Sequence, residues 1–139
     1  MYENDNITVF WDIPEYSGYV DEPEQPLRPD GKIIVKNEKE IFVLEMTVPW
    51  IQNRGIKEGE KVEKYKRIVQ SLKVDNPGYN VQQLTFVIDC LGGYSESLVC
   101  SLRMLKFTEN ECNSILLGIQ KIIVTEAVSL INHFKILTK

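Results

Sequence analysis

The spacing of apolar residues changes several times along the chain, and each change predicts an element. Residues 7–11 form a short β-rich run, Ile7-Thr8-Val9-Phe10-Trp11, closed by Asp12 and Pro14. The acidic stretch after it carries Gly18, Pro23, Pro26 and Pro29. Four such breakers within a dozen residues forbid a helix and predict a loop. Residues 32–36 read as a strand, 37–40 as a polar turn, and 41–48 as the second strand of a hairpin stopped by Pro49.

Residues 58–73 switch to helical periodicity, with Val62, Tyr65, Ile68, Val69 and Leu72 on one face. Asp75-Asn76-Pro77-Gly78 is a turn, residues 81–90 a further strand, and Gly92-Gly93 another turn. Ser95 or Ser97 caps a helix predicted to run to Lys106. Thr108 and Glu111 have the spacing of a capping box and open a long final helix, in which Gly118 is the expected weak point. The order is strand, strand, strand, helix, strand, helix, helix. It predicts a mixed α/β fold whose sheet of about four strands is flanked by helices. A core over residues 1–106 and a helical tail packed on it over 107–139 complete the expected division.

Composition constrains this picture only at the edges. The 139 residues fit one domain, with the ordinary globular share of hydrophobic and charged residues. The three cysteines, Cys90, Cys100 and Cys112, form no C-x-x-C pair and suggest reduced thiols rather than a disulfide framework or a zinc site. No signal-peptide pattern opens the chain, so an intracellular setting is expected. Residues 115–137 are greasy but contain Lys121, Glu126, Asn132 and Lys135, which suits a helix packed on protein better than a membrane span. His133 is the one histidine, and a lone histidine is an ordinary surface or packing residue. The net charge of −4 matters more, because free-standing DNA binders are usually basic. Only the helical stretch 57–73 is locally basic.

The candidate chemistry lies in Arg28-Pro29-Asp30 and, fifteen positions after Asp30, Glu45-Met46-Thr47. Two carboxylates brought from adjacent strands onto one hard divalent cation would suit Mg²⁺, which takes oxygen ligands and keeps several waters. Glu45 shares a strand face with Ile41, Val43 and Thr47, and an acid in so apolar a strand needs a partner or a metal unless that face is wet. Pro-Asp-Gly is by itself a turn sequence, so the weight of Asp30 comes from its place before the paired strand. On the helix, Lys61 lies roughly 45° from the centre of the apolar face and Lys64 roughly 100° away. A lysine there either snorkels outward or reaches a buried anion.

Five segments in order carry a resemblance: Trp11-Asp12-Ile13-Pro14, Arg28-Pro29-Asp30, Glu45-Met46-Thr47-Val48-Pro49, Lys61-Val62-Glu63-Lys64-Tyr65, and the strand and glycine turn from Thr85 to Gly93. Together they resemble the restriction-like endonuclease domain, of the PD-(D/E)xK type, found at the C-terminus of non-LTR retrotransposon reverse transcriptase polyproteins. The likeness spans residues 9–105. It implies a restriction-endonuclease-like core whose usual opening helix is absent or reduced here. It also implies a metal-dependent DNA endonuclease that nicks one strand and so exposes the 3′-hydroxyl that primes reverse transcription.

Carried over by position, Asp30 and Glu45 would bind Mg²⁺ or Mn²⁺, and Lys61 or Lys64 would stabilise the attacking water or the phosphate. Tyr65 would pack nearby or contact DNA, with Arg28, Thr47 and Asp12 as further DNA or supporting contacts; for Asp12 the choice is between a further metal contact and a loop-fixing acid, the second being favoured. Thr47 stands where the simple signature has lysine, which puts the catalytic lysine in doubt and turns attention to the helix. The expected partners are DNA, held weakly by this chain alone, the other domains of a parent polyprotein, and a second copy through the C-terminal helices; no membrane is expected. The expected location is nuclear when acting on DNA. Two other readings remain open: an inactive or domesticated remnant acting as a binding module, and an unrelated α/β interaction domain in which Asp30 is a turn and Glu45 is solvated.

Overall fold

The computed structural model describes residues 1–12 and 27–138. The acidic stretch predicted to be a loop, and Ile13-Pro14 of the first motif, lie outside the described residues. The strands are β1 (Tyr2–Glu3), β2 (Ile7–Trp11), β3 (Gly31–Val35), β4 (Glu40–Thr47) and β5 (Asn80–Val87); the helices are α1 (Arg54–Asp75), α2 (Glu96–Met104) and α3 (Glu109–Leu137). A mixed α/β fold is therefore present as expected. The sheet order is β1-β2-β3-β4-β5. β1 to β4 pair antiparallel. β5 runs parallel to β4: the Asn80 N–H donates to the Lys39 carbonyl at 2.8 Å and the Ile88 N–H to the Thr47 carbonyl at 3.3 Å, so both chains advance together. A parallel neighbour needs a crossover connection, and α1 supplies it.

The chain divides into two compact units. The first comprises Met1–Met46 and Glu58–Thr85. Its centre is β4, where Ile41, Phe42, Val43 and Leu44 are all buried, as a strand covered on both faces requires. From α1 it adds Tyr65 and Ile68, and from β5 Val81 and Leu84. The inward stripe of α1 is Lys61, Tyr65, Ile68 and Leu72, spaced at four, three and four residues. Val62, expected on that stripe, is instead 48% exposed. It lies about 100° around the helix from Lys61, so the two cannot both face inward.

The second unit comprises Thr47–Lys57 and Phe86–Lys139. Ile88, Leu98, Leu102, Cys112 and Leu116 form its core, with Ile115, Ile119 and Ile123 packed against them. Ser95 holds the N-cap position of α2, but its hydroxyl contacts Ser97 Oγ at 2.7 Å rather than a backbone N–H. The capping box of α3 is formed: Thr108 Oγ1 accepts from the Glu111 N–H and Glu111 Oε2 accepts from the Thr108 N–H. Thr108→Ala should cost about 1 kcal/mol. An unchanged urea midpoint would show that the cap adds nothing to a helix this long.

α3 passes through Gly118 without a break. Only its first half is packed. Beyond Ile123, the side chains of Val128, Leu130, Ile131, Phe134 and Leu137 are exposed. By length and composition this helix is able to cross a membrane. Lys121, Thr125, Ser129 and Asn132 gather on one side of it.

Candidate functional site

The paired carboxylates and the lysine that meets them lie in the first unit. Gly31 of β3 pairs with Leu44 of β4, so Asp30, just before β3, comes level with Glu45. The Asp30 N–H donates to Glu45 Oε2 at 3.4 Å, and Asp30 Oδ2 accepts from the Met46 N–H at 2.6 Å. The Pro-Asp-Gly turn thus places its acid against the strand that carries the second acid. The two differ in setting: Asp30 is exposed, whereas the Glu45 side chain is only 4% exposed.

A carboxylate buried this far needs a counter-charge. Lys61 provides it, its ammonium donating to Glu45 Oε1. The lysine on the inward stripe of α1 therefore reaches a buried anion rather than snorkelling outward. Lys64, one helical turn on, is exposed, with its ammonium 4.9 Å from the Tyr65 ring centroid. Of the two lysines the sequence left open, the structure brings Lys61 to the carboxylates.

Tyr65 is fully buried, and its hydroxyl donates to the Arg28 carbonyl at 3.0 Å. α1 thereby holds the segment that presents Asp30. The phenol is pushed well above its ordinary range by burial first, then by the hydrogen bond and charge of Glu45 and by the charge of Asp30. It stays a donor throughout the physiological range. Arg28 turns its guanidinium to solvent, 3.8 Å from the Asp12 carboxylate, an exposed pair worth little by itself. Asp12 also donates its N–H to the Asp30 carbonyl at 3.2 Å, from a backbone φ of 48°. These contacts are those of an acid that fixes the loop. Thr47 is half-buried and contributes its backbone carbonyl to Ile88.

Gln83 of β5 went unnoticed in the sequence. Its Nε2 donates to the Lys61 carbonyl at 2.8 Å and so pins the turn of α1 from which Lys61 projects. No periodicity could single it out, because it is a half-buried polar residue in a mixed strand.

Asp30 and Glu45 offer hard anionic oxygens, and Asp30 Oδ1 has no hydrogen-bond partner among the described residues. No group of three or more His, Cys, Asp or Glu side chains converges among the described residues. The donor set fits an ion that takes one or two protein carboxylates and fills its remaining positions with water and substrate phosphate, which is the habit of Mg²⁺.

The second unit holds a buried acid of its own. Asp89 is 2% exposed, and its Oδ1 accepts from the N–H groups of Leu91 and Gly93, both at 3.0 Å. Oδ2 lies 3.3 Å from Arg54 Nη1. A Cβ at Gly93 would stand 2.4 Å from that oxygen, so the turn requires glycine there. These bonds mark Asp89 as a turn-fixing residue. An acid followed at the third and fourth positions by Gly-Gly was the available signal.

No protein-family model, curated protein or solved structure matches the chain.

Proposed function

We propose that this chain is the DNA-nicking module of a retrotransposon polyprotein, a phosphodiester hydrolase using Mg²⁺ or Mn²⁺ at Asp30 and Glu45. One observation carries the reading: Asp30 from the turn before β3, Glu45 from β4 and Lys61 from α1 meet, the buried acid taking the lysine and the exposed acid standing beside it. When bound, the ion supplies charge neutralisation at the phosphate and a water of lowered pKa. The residues do the rest. Asp30 and Glu45 would hold the ion, Lys61 balances the buried charge of Glu45 and would offer a cation to a phosphate oxygen, and Tyr65 fixes the Arg28-Pro29-Asp30 segment. Water adds across the P–O bond, leaving a 3′-hydroxyl and a 5′-phosphate. The 3′-hydroxyl is the group that priming of reverse transcription needs.

The net charge of −4 gives no long-range attraction to DNA, so other domains of the parent protein would hold the target and raise the effective concentration of this site. The exposed apolar side of α3 supports a partner for that helix, another such domain or a second copy. The location that follows is nuclear when DNA is cut. Alone, the chain should bind duplex weakly, with affinity falling as salt rises. Tight binding that persists at moderate salt, read by anisotropy of a labelled duplex, would show a recognition surface of its own.

The acidic balance also favours a second reading, an inactive remnant that serves as a binding module. Plasmid nicking decides between them. With Mg²⁺ or Mn²⁺ the chain should convert supercoiled to open-circular plasmid, and Asp30→Ala should lower the rate by about 100-fold or more. Equal rates for the two proteins would remove Asp30 from the chemistry, and no nicking with either ion would leave the remnant.

A further inference from the structure

We infer that Lys32 is a contact for a backbone phosphate of the DNA strand beside the bond to be cut, which rests on the nuclease reading above. The strand register carries the argument. Cross-strand partners project to one face of a sheet, as do alternate residues along a strand. Phe10 pairs with Lys32, and Lys32 with Val43. Val43 and Glu45 share a face by alternation, so Lys32 lies on the Glu45 face. It is two residues, about 7 Å, along β3 from Asp30.

Burial on this face is uneven: Thr8 of β2, opposite Ile34, is buried as the β4 residues are, and the more open end is the one at Lys32 and Phe10. Ile41, Val43 and Glu45 of β4 are buried, whereas Ile34 and Lys32 of β3 and Phe10 of β2 are only half-buried. Lys32 and Phe10, next to the carboxylates, thus keep part of their surface open to solvent. The Lys32 ammonium is 4.8 Å from the Phe10 ring centroid. A ring that holds the ammonium removes part of the ordering cost a flexible lysine bears on binding. Lys36, four residues on from Lys32, extends the same row and pairs with Glu3 at 3.1 Å. In a chain of net charge −4, phosphate must be held by cations placed at the site rather than by the field of the whole molecule. Lys32 and Lys61 bracket the two acids in that way, one from the sheet and one from the helix.

The test uses the full chain bearing Asp30→Ala, which binds without cutting, and a labelled duplex titrated across a range of low salt. Adding Lys32→Gln should lower the slope of log affinity against log salt by about 0.9, the share of one neutralised phosphate, and weaken binding about fivefold at the lowest salt. Lys32→Arg should keep the slope. So should Lys39→Gln in the hairpin turn, which removes the same charge elsewhere. In the chain that retains Asp30, Lys32→Gln should raise the KM for plasmid while the single-turnover rate at saturating plasmid stays near that of the unsubstituted chain. An unchanged slope for Lys32→Gln in the Asp30→Ala chain, when the chain that retains Asp30 nicks, would overturn the Lys32 assignment alone. Absence of nicking by the unsubstituted chain would instead overturn the nuclease reading, whatever the slopes.

Discussion

Lys61→Met is expected to reduce plasmid nicking by about 100-fold or more, whereas Lys64→Met should leave it close to that of the unsubstituted chain. The two lysines are three residues apart on one helix, and their surroundings separate them. The Lys61 ammonium donates to a Glu45 side chain that is 4% exposed. Removing one partner of a fully buried pair costs about 3–5 kcal/mol, because the remaining charge is left without compensation. The Lys61 side chain is 24% exposed, so solvent takes up part of that loss, and about 2 kcal/mol of stability should disappear with the amine. Lys64 is exposed over the Tyr65 ring, a contact worth about 0.5–1 kcal/mol. Nicking rates and urea midpoints of both variants check the assignment together. A dead Lys64→Met beside an active Lys61→Met would move the catalytic cation to the outer face of α1.

The contrast between these lysines also shows what the sequence could and could not disclose. Alternation along β4 located Glu45 within an apolar strand, and the Pro-Asp-Gly turn before a pairing strand brought Asp30 level with it. Both follow from local chemistry and the two-residue period of a strand. Hydrophobic periodicity then placed Val62 on the inner face of α1, when the inward position belongs to Lys61. The helix meets a carboxylate at that level, so a polar side chain sits where a hydrophobe would otherwise be, and a rule that counts apolar residues favours the wrong neighbour. For the same reason α1 was expected to begin at residue 58. It begins at Arg54, whose side chain is held by Asp89, and Gly55 and Gly59 lie inside it despite their poor helix propensity. Gly118 likewise stays helical, because a single glycine costs about 1 kcal/mol and α3 has 29 residues over which to absorb it. The apolar pattern of α3 announced a long helix without saying how much of it would be covered. The pairs that escaped notice, Gln83 with Lys61 and Arg54 with Asp89, join residues more than twenty positions apart, where no spacing rule applies.

Asp89→Ala should destabilise the chain by about 3–5 kcal/mol, a large part of the 5–15 kcal/mol typical of a domain. Three donors converge on this carboxylate: the N–H groups of Leu91 and Gly93 on one oxygen and the Arg54 guanidinium on the other. Alanine would leave the two amides without their acceptor beside the Ile88–Tyr94 bridge, and each donor so stranded costs about 1–3 kcal/mol. Asp89→Asn keeps an acceptor oxygen for the amides and loses only the ion pair, so it should cost about 1–2 kcal/mol. Arg54 is 33% exposed, and Arg54→Met should therefore cost less than Asp89→Ala. A double-mutant cycle over Arg54 and Asp89 isolates the charge pair from the turn. Urea unfolding of the four proteins of the cycle and of Asp89→Asn supplies every number required. If Asp89→Ala unfolds within 0.5 kcal/mol of the unsubstituted chain, on the scale of an ordinary surface change, the turn does not depend on its acid. If Asp89→Asn proves as damaging as Asp89→Ala, the ion pair rather than the two amides holds the turn, and the charge on Asp89 becomes the property to explain.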